Sequence, residues 1–359
     1  MSGPVNVDEY FEQAAAAADP RIWCYFEGGA GDEVTLRANA AAFGRWRFRP
    51  RVLVDVSEIT TATTILGTPV AMPFAVSPFA LHRLLTPEGE LASARAASAT
   101  GTLLCVSTIT SSTHAEIAAG GGDGPRWLQL YVLRDRQRTL DHIAEARESG
   151  YGALMLTVDM PVLGRRERDL RLGFQIPEDL PLPYVRGNDP VRAETMAQHF
   201  QVTPALTWRD LEWIEAESRL PIVLKGILTG EDAALAVEHG AAAILVSNHG
   251  GRQLDGVAAG LDALPEVVEA VAGRCEVYVD GGIRRGGDVL KALALGARAA
   301  FASRPIACGL AVGGEDGARH VLDLLREEIA TGLGLLGVTS PDGVTRAHVE
   351  PTVPYDRPA

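Results

Sequence analysis

Six basic side chains of this acidic chain stand just past short apolar runs: Arg166, Lys225, His249, Arg252, Arg284 and Arg304. Histidine has the pKa range of a general base near neutrality, and arginine presents a planar fork that matches a carboxylate. His249, Arg252 and Arg166, with Tyr131 nearby, therefore make a candidate site for an organic anion that gives up a proton. Asp159 can pair with the imidazole and stabilise its charged form. A second anion site is separable from the first. Gly281, Gly282, Gly286 and Gly287 flank Ile283–Arg285 just before a helical stretch, and Arg284 and Arg304 belong to the two loops concerned. Glycines let backbone approach closely, and N–H groups at a helix start bind phosphate. A phosphate-bearing cofactor is expected there. Burying cations is costly unless anions pair with them. Lys225, Arg166, Arg252, Arg284 and Arg304, gathered at one end of a protein of net charge −13, thus imply bound anions rather than local salt bridges alone.

Such a gathering needs a scaffold that brings many strand ends to one face. From about residue 70 the chain alternates apolar runs with amphipathic stretches. The runs are Met72–Pro78, Thr102–Thr108, Arg126–Val132, Ala153–Asp159, Pro221–Gly226, Ala242–Asn248, Glu276–Gly282 and Ala299–Pro305. Each is near-continuously apolar, as expected for parallel strands buried on both faces. Between them, Pro87–Gly101, Thr229–Gly240 and Asp288–Gly296 start with helix-opening residues and end in glycine. This is the α/β pattern of a (β/α)8 TIM barrel, in which residues at the C-terminal strand ends face the active site. A doubly wound sheet is disfavoured because no glycine-rich turn follows the first strand. Gly332, Gly334 and Gly337 do spell G-x-G-x-x-G, but they continue the helical pattern Ala318–Leu336 with no strand in front. They are read as helix packing or a helix end.

Composition narrows the function further. With net charge −13 the chain is a poor candidate for non-specific nucleic-acid binding or for an anionic membrane surface. Cys24, Cys105, Cys275 and Cys308 are scattered without a C-x-x-C pair, so no metal site is expected and a reduced, cytoplasmic setting is. Met1–Ala18 lacks the basic start and apolar core of a signal peptide, and no apolar run approaches the roughly 18 residues of a membrane span. His82, His114, His142, His239, His320 and His348 stand in no evident constellation, and His199 is read as surface.

These residues resemble the FMN-dependent 2-hydroxy-acid oxidases and dehydrogenases, the family of glycolate oxidase, lactate oxidase, mandelate dehydrogenase and 4-hydroxymandelate oxidase. SNHGGRQLDG (Ser247–Gly256) is the signature run; Leu156–Arg171, Gln129–Asp135, Val223–Ala233 and Asp280–Ala297 match as well. The likeness extends from about Tyr10 to the C-terminal helix, and the segments look most like the hydroxymandelate oxidases. The resemblance implies FMN as cofactor. It implies oxidation of an (S)-2-hydroxy acid to the 2-oxo acid, with O2 reduced to H2O2, in a homo-oligomer (tetramer or octamer). His249 would accept the substrate proton, with Asp159 behind it. Arg166 and Arg252 would hold the carboxylate, helped by Tyr25, and Tyr131 would hydrogen-bond the substrate. Lys225 would sit beside the flavin N1–C2=O edge. Flavin contacts would come from Pro78, Phe79, Ala80, Ser107, Gln129, Thr157 and Ser247. Phosphate contacts would come from Asp280, Gly281, Gly282, Ile283, Arg284, Ser303 and Arg304.

Three positions depart from the family pattern. Ser303 stands where glycine is usual, so its Cβ is expected to crowd the phosphate loop. Phe79 replaces a Thr or Val, and Ile109 stands where glycolate oxidase has Trp. The last exchange opens the site toward a substrate larger than glycolate, mandelate-like or aliphatic, against a wall of Leu163, Phe79 and Ile109. A dehydrogenase or a lactate-monooxygenase-like outcome belongs to the same family. From other classes, a Schiff-base aldolase using Lys225 or a non-catalytic flavin-binding barrel leaves His249 and the arginines only partly explained.

A plain barrel of about 250 residues leaves roughly 110 to account for in this chain. They are assigned within one domain: residues 1–68 as an N-terminal helical cap that carries Tyr25 to the mouth, and 167–207 as a lid insertion. The barrel itself is placed at 69–337 and a C-terminal tail at 338–359.

Overall fold

The computed structural model describes residues 3–184 and 201–352. Helices α1 (Val7–Ala17), α2 (Pro20–Glu27) and α3 (Val34–Gly44) come first, then strand β1 (Trp46–Phe48) and the hairpin β2 (Thr63–Ile65)–β3 (Thr68–Val70). The expected runs then appear as β4 (Phe74–Val76), β5 (Leu103–Val106), β6 (Arg126–Leu130) and β7 (Leu154–Thr157). They continue as β8 (Ile222–Ile227), β9 (Ala243–Val246), β10 (Glu276–Asp280) and β11 (Ala299–Ala302). Neighbours pair in parallel, and β11 pairs with β4 to close the barrel.

The connecting helices are α4 (Glu90–Ala99), α5 (His114–Gly120), α6 (Arg136–Glu148), α7 (Glu167–Leu172) and α8 (Asp210–Ser218). They are followed by α9 (Gly230–Glu238), α10 (Gly260–Val271), α11 (Gly286–Ala294) and α12 (Arg304–Leu336). Their starts follow local chemistry: Thr113 and Glu116 form a capping box, and the Asp135 and Thr229 side chains accept first-turn N–H groups.

The strands are apolar along their middles because the pleat sends alternate residues to two different cores. Ala75, Leu103, Cys105, Trp127, Met155, Val223, Leu245, Tyr278 and Phe301 fill the barrel interior. Val76, Leu104, Leu128, Leu156, Leu224, Val246 and Val279 pack outward in the larger helix-facing core. Inside, the rings of Trp127, Tyr278 and Phe301 meet with centroids 5.3–6.1 Å apart.

The surplus segments are less helical than expected. The cap contains β1, which pairs antiparallel with β12 (Val349–Pro351), so the C-terminal tail is built into the cap. Ile65 and Val70 of the hairpin join the barrel-interior core and close its lower end. The last helix starts at Arg304 rather than Ala318 and breaks at Gly313–Gly314. The G-x-G-x-x-G decoy is a packing and ending feature: a Cβ on Gly332 would lie 2.4 Å from Leu290, and Gly337 caps the helix at φ 73°. The proposed lid is pinned at both described ends. Tyr184 Oη donates to Glu145 at 2.7 Å and accepts from the His114 N–H, while Val202 bridges Leu133. Residues 185–200, with His199, lie outside the described residues.

The cap is stapled to the barrel by a buried amide pair. Asn39 Nδ2 donates to Asn248 Oδ1 at 2.9 Å, and Asn248 Nδ2 donates back to Asn39 Oδ1 at 2.7 Å. Asn248 Oδ1 also accepts the Gly251 N–H at 3.0 Å, so α3 shapes the loop after β9. Cutting one partner leaves buried polar groups unsatisfied. Asn39→Ala is expected to lower the unfolding free energy by about 1–3 kcal/mol, read by urea unfolding of the holoprotein.

Candidate active site

Two residues beyond the last apolar interior layer, the same pleat presents polar side chains. From Ala75, Cys105, Trp127, Met155, Val223, Leu245, Tyr278 and Phe301 the step arrives at Ser77, Ser107, Gln129, Thr157, Lys225, Ser247, Asp280 and Ser303. All of these but Ser247 line one cleft of about 420 Å3. Gln129 is held rigid: its Oε1 accepts from Ser107 Oγ and the Thr108 N–H, both at 3.2 Å, and its Nε2 donates to Thr157 at 3.1 Å. Ser77 donates to Asp280 Oδ2 at 3.1 Å, and Lys225 Nζ lies 3.9 Å from the same oxygen. Asp280 Oδ1 is buried with no partner.

His249 is the group that can move a proton. It sits at φ 59°, a left-handed conformation uncommon for a side chain with Cβ, held there by its N–H bond to Ser247 Oγ at 3.1 Å. Ser247, expected to touch the cofactor, is fully buried and its hydroxyl supports this turn. Nδ1 of His249 lies 2.8 Å from Asp159 Oδ1, and Nε2 lies 3.5 Å from Tyr131 Oη. An ionised carboxylate can only accept, so Nδ1 carries the proton and Nε2 turns its lone pair to the cleft. Burial holds the imidazole below its ordinary range, outweighing the Asp159 charge that pulls it up. Burial alone would raise the Asp159 carboxyl, but His249 and Lys225 keep it below the usual carboxylate range. Burial and the Asp159 charge push the Tyr131 phenol up, so it stays a hydroxyl. Gly226, at φ 116°, makes the pair fit: a Cβ there would lie 2.6 Å from Asp159 Cβ.

The cations divide as their surroundings dictate. Arg284 stands 3.4 Å from Asp8 and stacks on Phe11. Among the described residues no carboxylate lies within ion-pair distance of Arg166, Arg252 or Arg304. Arg166 is buried, with Nε lacking a partner. Burial, then repulsion from Arg252, lowers its guanidinium to about 10. Arg252 rests over the Tyr25 ring and donates to the carbonyls of Tyr25 and Gly28. Arg304 donates to the carbonyls of Phe26, Gly250 and Gly28, each at 3.0 Å, and burial lowers it to about 9. Such partly buried guanidiniums, bonded to carbonyls rather than carboxylates, suit the binding of anions.

The phosphate end differs from expectation in one respect. The helix-start N–H groups of Arg284 and Arg285 are taken by Asp288, and that of Gly286 by Glu328. Gly281 and Gly282 serve cap packing as well, since a Cβ on Gly282 would lie 2.2 Å from the Asn39 carbonyl oxygen, and Gly286 packs on the last helix at Glu328. The groups that face the cleft there are the Gly281–Gly282–Ile283 turn, Arg284, Ser303 and Arg304. Ser303 sits at φ −108°, ψ −49°, so its backbone carries no strain that glycine would relieve.

A family model described as FMN-dependent dehydrogenase matches residues 14–351. The chain belongs to this family. L-lactate oxidase of Nostoc sp. is 48% identical, covering 94% of this chain and 95% of its own. Glycolate oxidase 1 of Oryza sativa subsp. indica is 46% identical, covering 97% and 96%. Among solved structures, mandelate oxidase with (S)-4-hydroxymandelic acid superposes with a TM-score of 0.93 at 44% identity, covering 98% of this chain and 100% of that one.

FMN is the family's cofactor, and the cleft fits it. Its volume falls within the roughly 300–1,000 Å3 of small-molecule sites. The cleft has Arg304 without a carboxylate partner at its phosphate end, an orphaned carboxylate oxygen on Asp280, and the fixed Gln129–Thr157 amide edge beside Lys225. Pro78, Phe79, Ala80, Tyr25, Tyr131, Arg166, His249 and Arg252 line the same cleft, as do Ile109 and Leu163 of the expected wall. Asp159 stands behind His249 rather than in the lining. Several participants had no motif to announce them. Asn39 shapes the loop that carries His249; Phe174 stacks on Tyr25 at 4.7 Å; Arg168 ties α7 to Glu27 and Glu33 of the cap. Among the described residues, no helix is long and apolar enough to cross a membrane.

Because Asp159 is what raises the His249 pKa against burial, its removal has a definite sign. Asp159→Asn is expected to make the imidazole titrate at a still lower pH than in the parent protein, read by NMR of the histidine ring.

Proposed function

We propose that the protein oxidises an (S)-2-hydroxy acid to the 2-oxo acid, with O2 taking up the two electrons and two protons as H2O2. The observation that carries this is a single juxtaposition. A neutral His249 lone pair, the Tyr131 hydroxyl and two guanidiniums without carboxylate partners share one cleft with Lys225. In this reading Arg166 and Arg252 bind the substrate carboxylate, with Tyr25 held between Phe174 and Arg252 to complete that end. Tyr131 donates to the substrate oxygen. His249 Nε2 accepts the substrate proton, and Asp159 stabilises the imidazolium that forms. When bound, FMN supplies the two-electron acceptor. Lys225 offers a fixed positive charge at the cofactor's edge, preorganised rather than reoriented during reaction. Gln129, Thr157, Ser107 and the Pro78–Ala80 turn hold the ring system, and Arg284, Ser303, Arg304 and the Gly281–Ile283 turn hold the phosphate.

The substrate side is read as larger than glycolate. Phe79, Ile109 and Leu163 supply an apolar wall, suited to a mandelate-like or branched aliphatic group. The similar mandelate oxidase structures support an aryl acid. The enzyme is read as cytoplasmic and homo-oligomeric. Exposed Val52, Leu53 and Val54, side by side on one segment, support a subunit contact there.

Two measurements test the reading. Anaerobic mixing of the FMN-loaded protein with (S)-mandelate, lactate and longer 2-hydroxy acids should bleach the flavin absorbance. His249→Ala should abolish that bleaching while FMN stays bound; unchanged turnover by the variant would refute the base assignment. Peroxide release in air identifies an oxidase, whereas bleaching without peroxide identifies a dehydrogenase or a monooxygenase-like outcome. The pH profile has a fixed sign as well. His249 must be neutral to accept a proton, and its pKa lies below the ordinary 6.5. Thus kcat/KM should hold as pH falls through 6.5 and drop only at lower pH, as the imidazole protonates.

A further inference from the structure

Phe79 and Ile109, the two departures that shape the cleft, stand on different loops, one after β4 and one after β5. Behind them lies a buried polar relay that lines no part of the cleft and has no role in the chemistry described above. His82 and Glu90 are 4% and 2% exposed. His82 Nε2 lies 3.0 Å from the Phe79 carbonyl oxygen, which can only accept, so Nε2 carries the proton. Its Nδ1 lies 2.7 Å from Ser93 Oγ. The imidazole also stacks on the Phe79 ring, with centroids 3.6 Å apart and planes 18° from parallel. In front, Phe26 meets the same ring edge-on at 6.4 Å. Phe79 is therefore held by its carbonyl, by a stacked imidazole and by an edge contact to Phe26.

Glu90 extends the hold to the second loop. One carboxylate oxygen accepts the His82 backbone N–H at 3.2 Å, and the other accepts the Ser111 hydroxyl. The Leu81 N–H reaches the Ile109 carbonyl at 3.4 Å, from a Leu81 backbone at φ 66°. A non-glycine residue in that region persists only where its surroundings over-determine it. Burial holds His82 below the ordinary imidazole range, consistent with a neutral ring that accepts from Ser93 and donates to Phe79.

We propose that His82 and Glu90 are positioning residues for substrate selection, locking Phe79 and Ile109 into one rigid wall that sets the bulk of the 2-hydroxy acid accepted. This rests on the 2-hydroxy-acid oxidase reading above. A wall held from behind presents a fixed shape, so a fitting side chain binds without first ordering the loops. Neither His82 nor Glu90 touches the reacting atoms, so loosening the wall should act on substrate binding and leave the chemical step alone.

The test compares kcat/KM for the best bulky 2-hydroxy acid with that for glycolate in FMN-loaded enzyme. His82→Leu removes the two imidazole hydrogen bonds and the stack, while the backbone bond to Glu90 stays. It should cut the bulky-to-glycolate ratio by about tenfold, the usual worth of a pocket contact. At saturating FMN the change should appear in KM, with kcat near the parent value. Glu90→Gln keeps the side-chain shape and should shift the ratio in the same direction, and it carries the test if His82→Leu does not fold. Because His82 acts through Phe79, the double variant with Phe79→Ala should be no worse than Phe79→Ala alone. A folded, FMN-bound His82→Leu or Glu90→Gln that keeps the parent ratio overturns the proposal, as does full additivity with Phe79→Ala. A parent enzyme that oxidises no 2-hydroxy acid refutes the functional reading instead, so the two failures are distinguishable.

Discussion

The site depends on the pleat of a closed parallel barrel. Each strand must bury both faces, one against its helix and one inside the ring, so no strand offers a polar side until it ends. The interior is filled by Trp127, Tyr278 and Phe301 among small residues such as Ala75, Ala153, Ala243 and Ala299. One step further along each strand the packing stops and the polar layer begins. Lys225, Gln129, Asp280 and Thr157 converge because strand pairing leaves their side chains no other direction. The hairpin covers the opposite end with Ile65 and Val70, so among the described residues the cleft opens at the C-terminal strand ends.

Electrostatics then make that end unlike ordinary surface. Guanidiniums set in an apolar basin without carboxylates are under tension, visible in Arg166 and Arg304 falling to about 10 and about 9. The protein contains this tension with carbonyl oxygens supplied largely by the cap. Tyr25, Phe26 and Gly28 accept from Arg252 and Arg304, so the N-terminal helices complete the barrel's site as well as covering it. The same economy governs the imidazole. Asp159 fixes its tautomer while burial keeps it neutral, and a glycine at 226 makes the approach possible.

The cap and the insertion meet at the mouth. Arg168 bridges Glu27 and Glu33, and Phe174 lies flat on Tyr25. Together with the Asn39–Asn248 staple, these contacts make the order of the anion site conditional on segments far from the barrel in sequence.

Much of this was legible from residue order. Near-continuous apolar runs marked the strands, because a strand buried on both faces has no polar position to interrupt it. The residues just past each run marked the site, because a barrel leaves them only one place to go. Family motifs placed His249, Asp159, Lys225 and the arginines. Other features have no local signature. The Asn39–Asn248 pair joins residues 209 positions apart. Gly281 and Gly282 after β10 face the cleft and also make room for Asn39, a packing demand that residue order does not announce. His82 reads as one more histidine until its ring is seen against Phe79. Periodicity and end residues are local properties of the chain, so the sequence by itself determined the barrel and the polar and basic residues at its rim. Which long-range partner consumes a given N–H, ring face or carboxylate depends on how separate segments pack, and only the tertiary structure decided that.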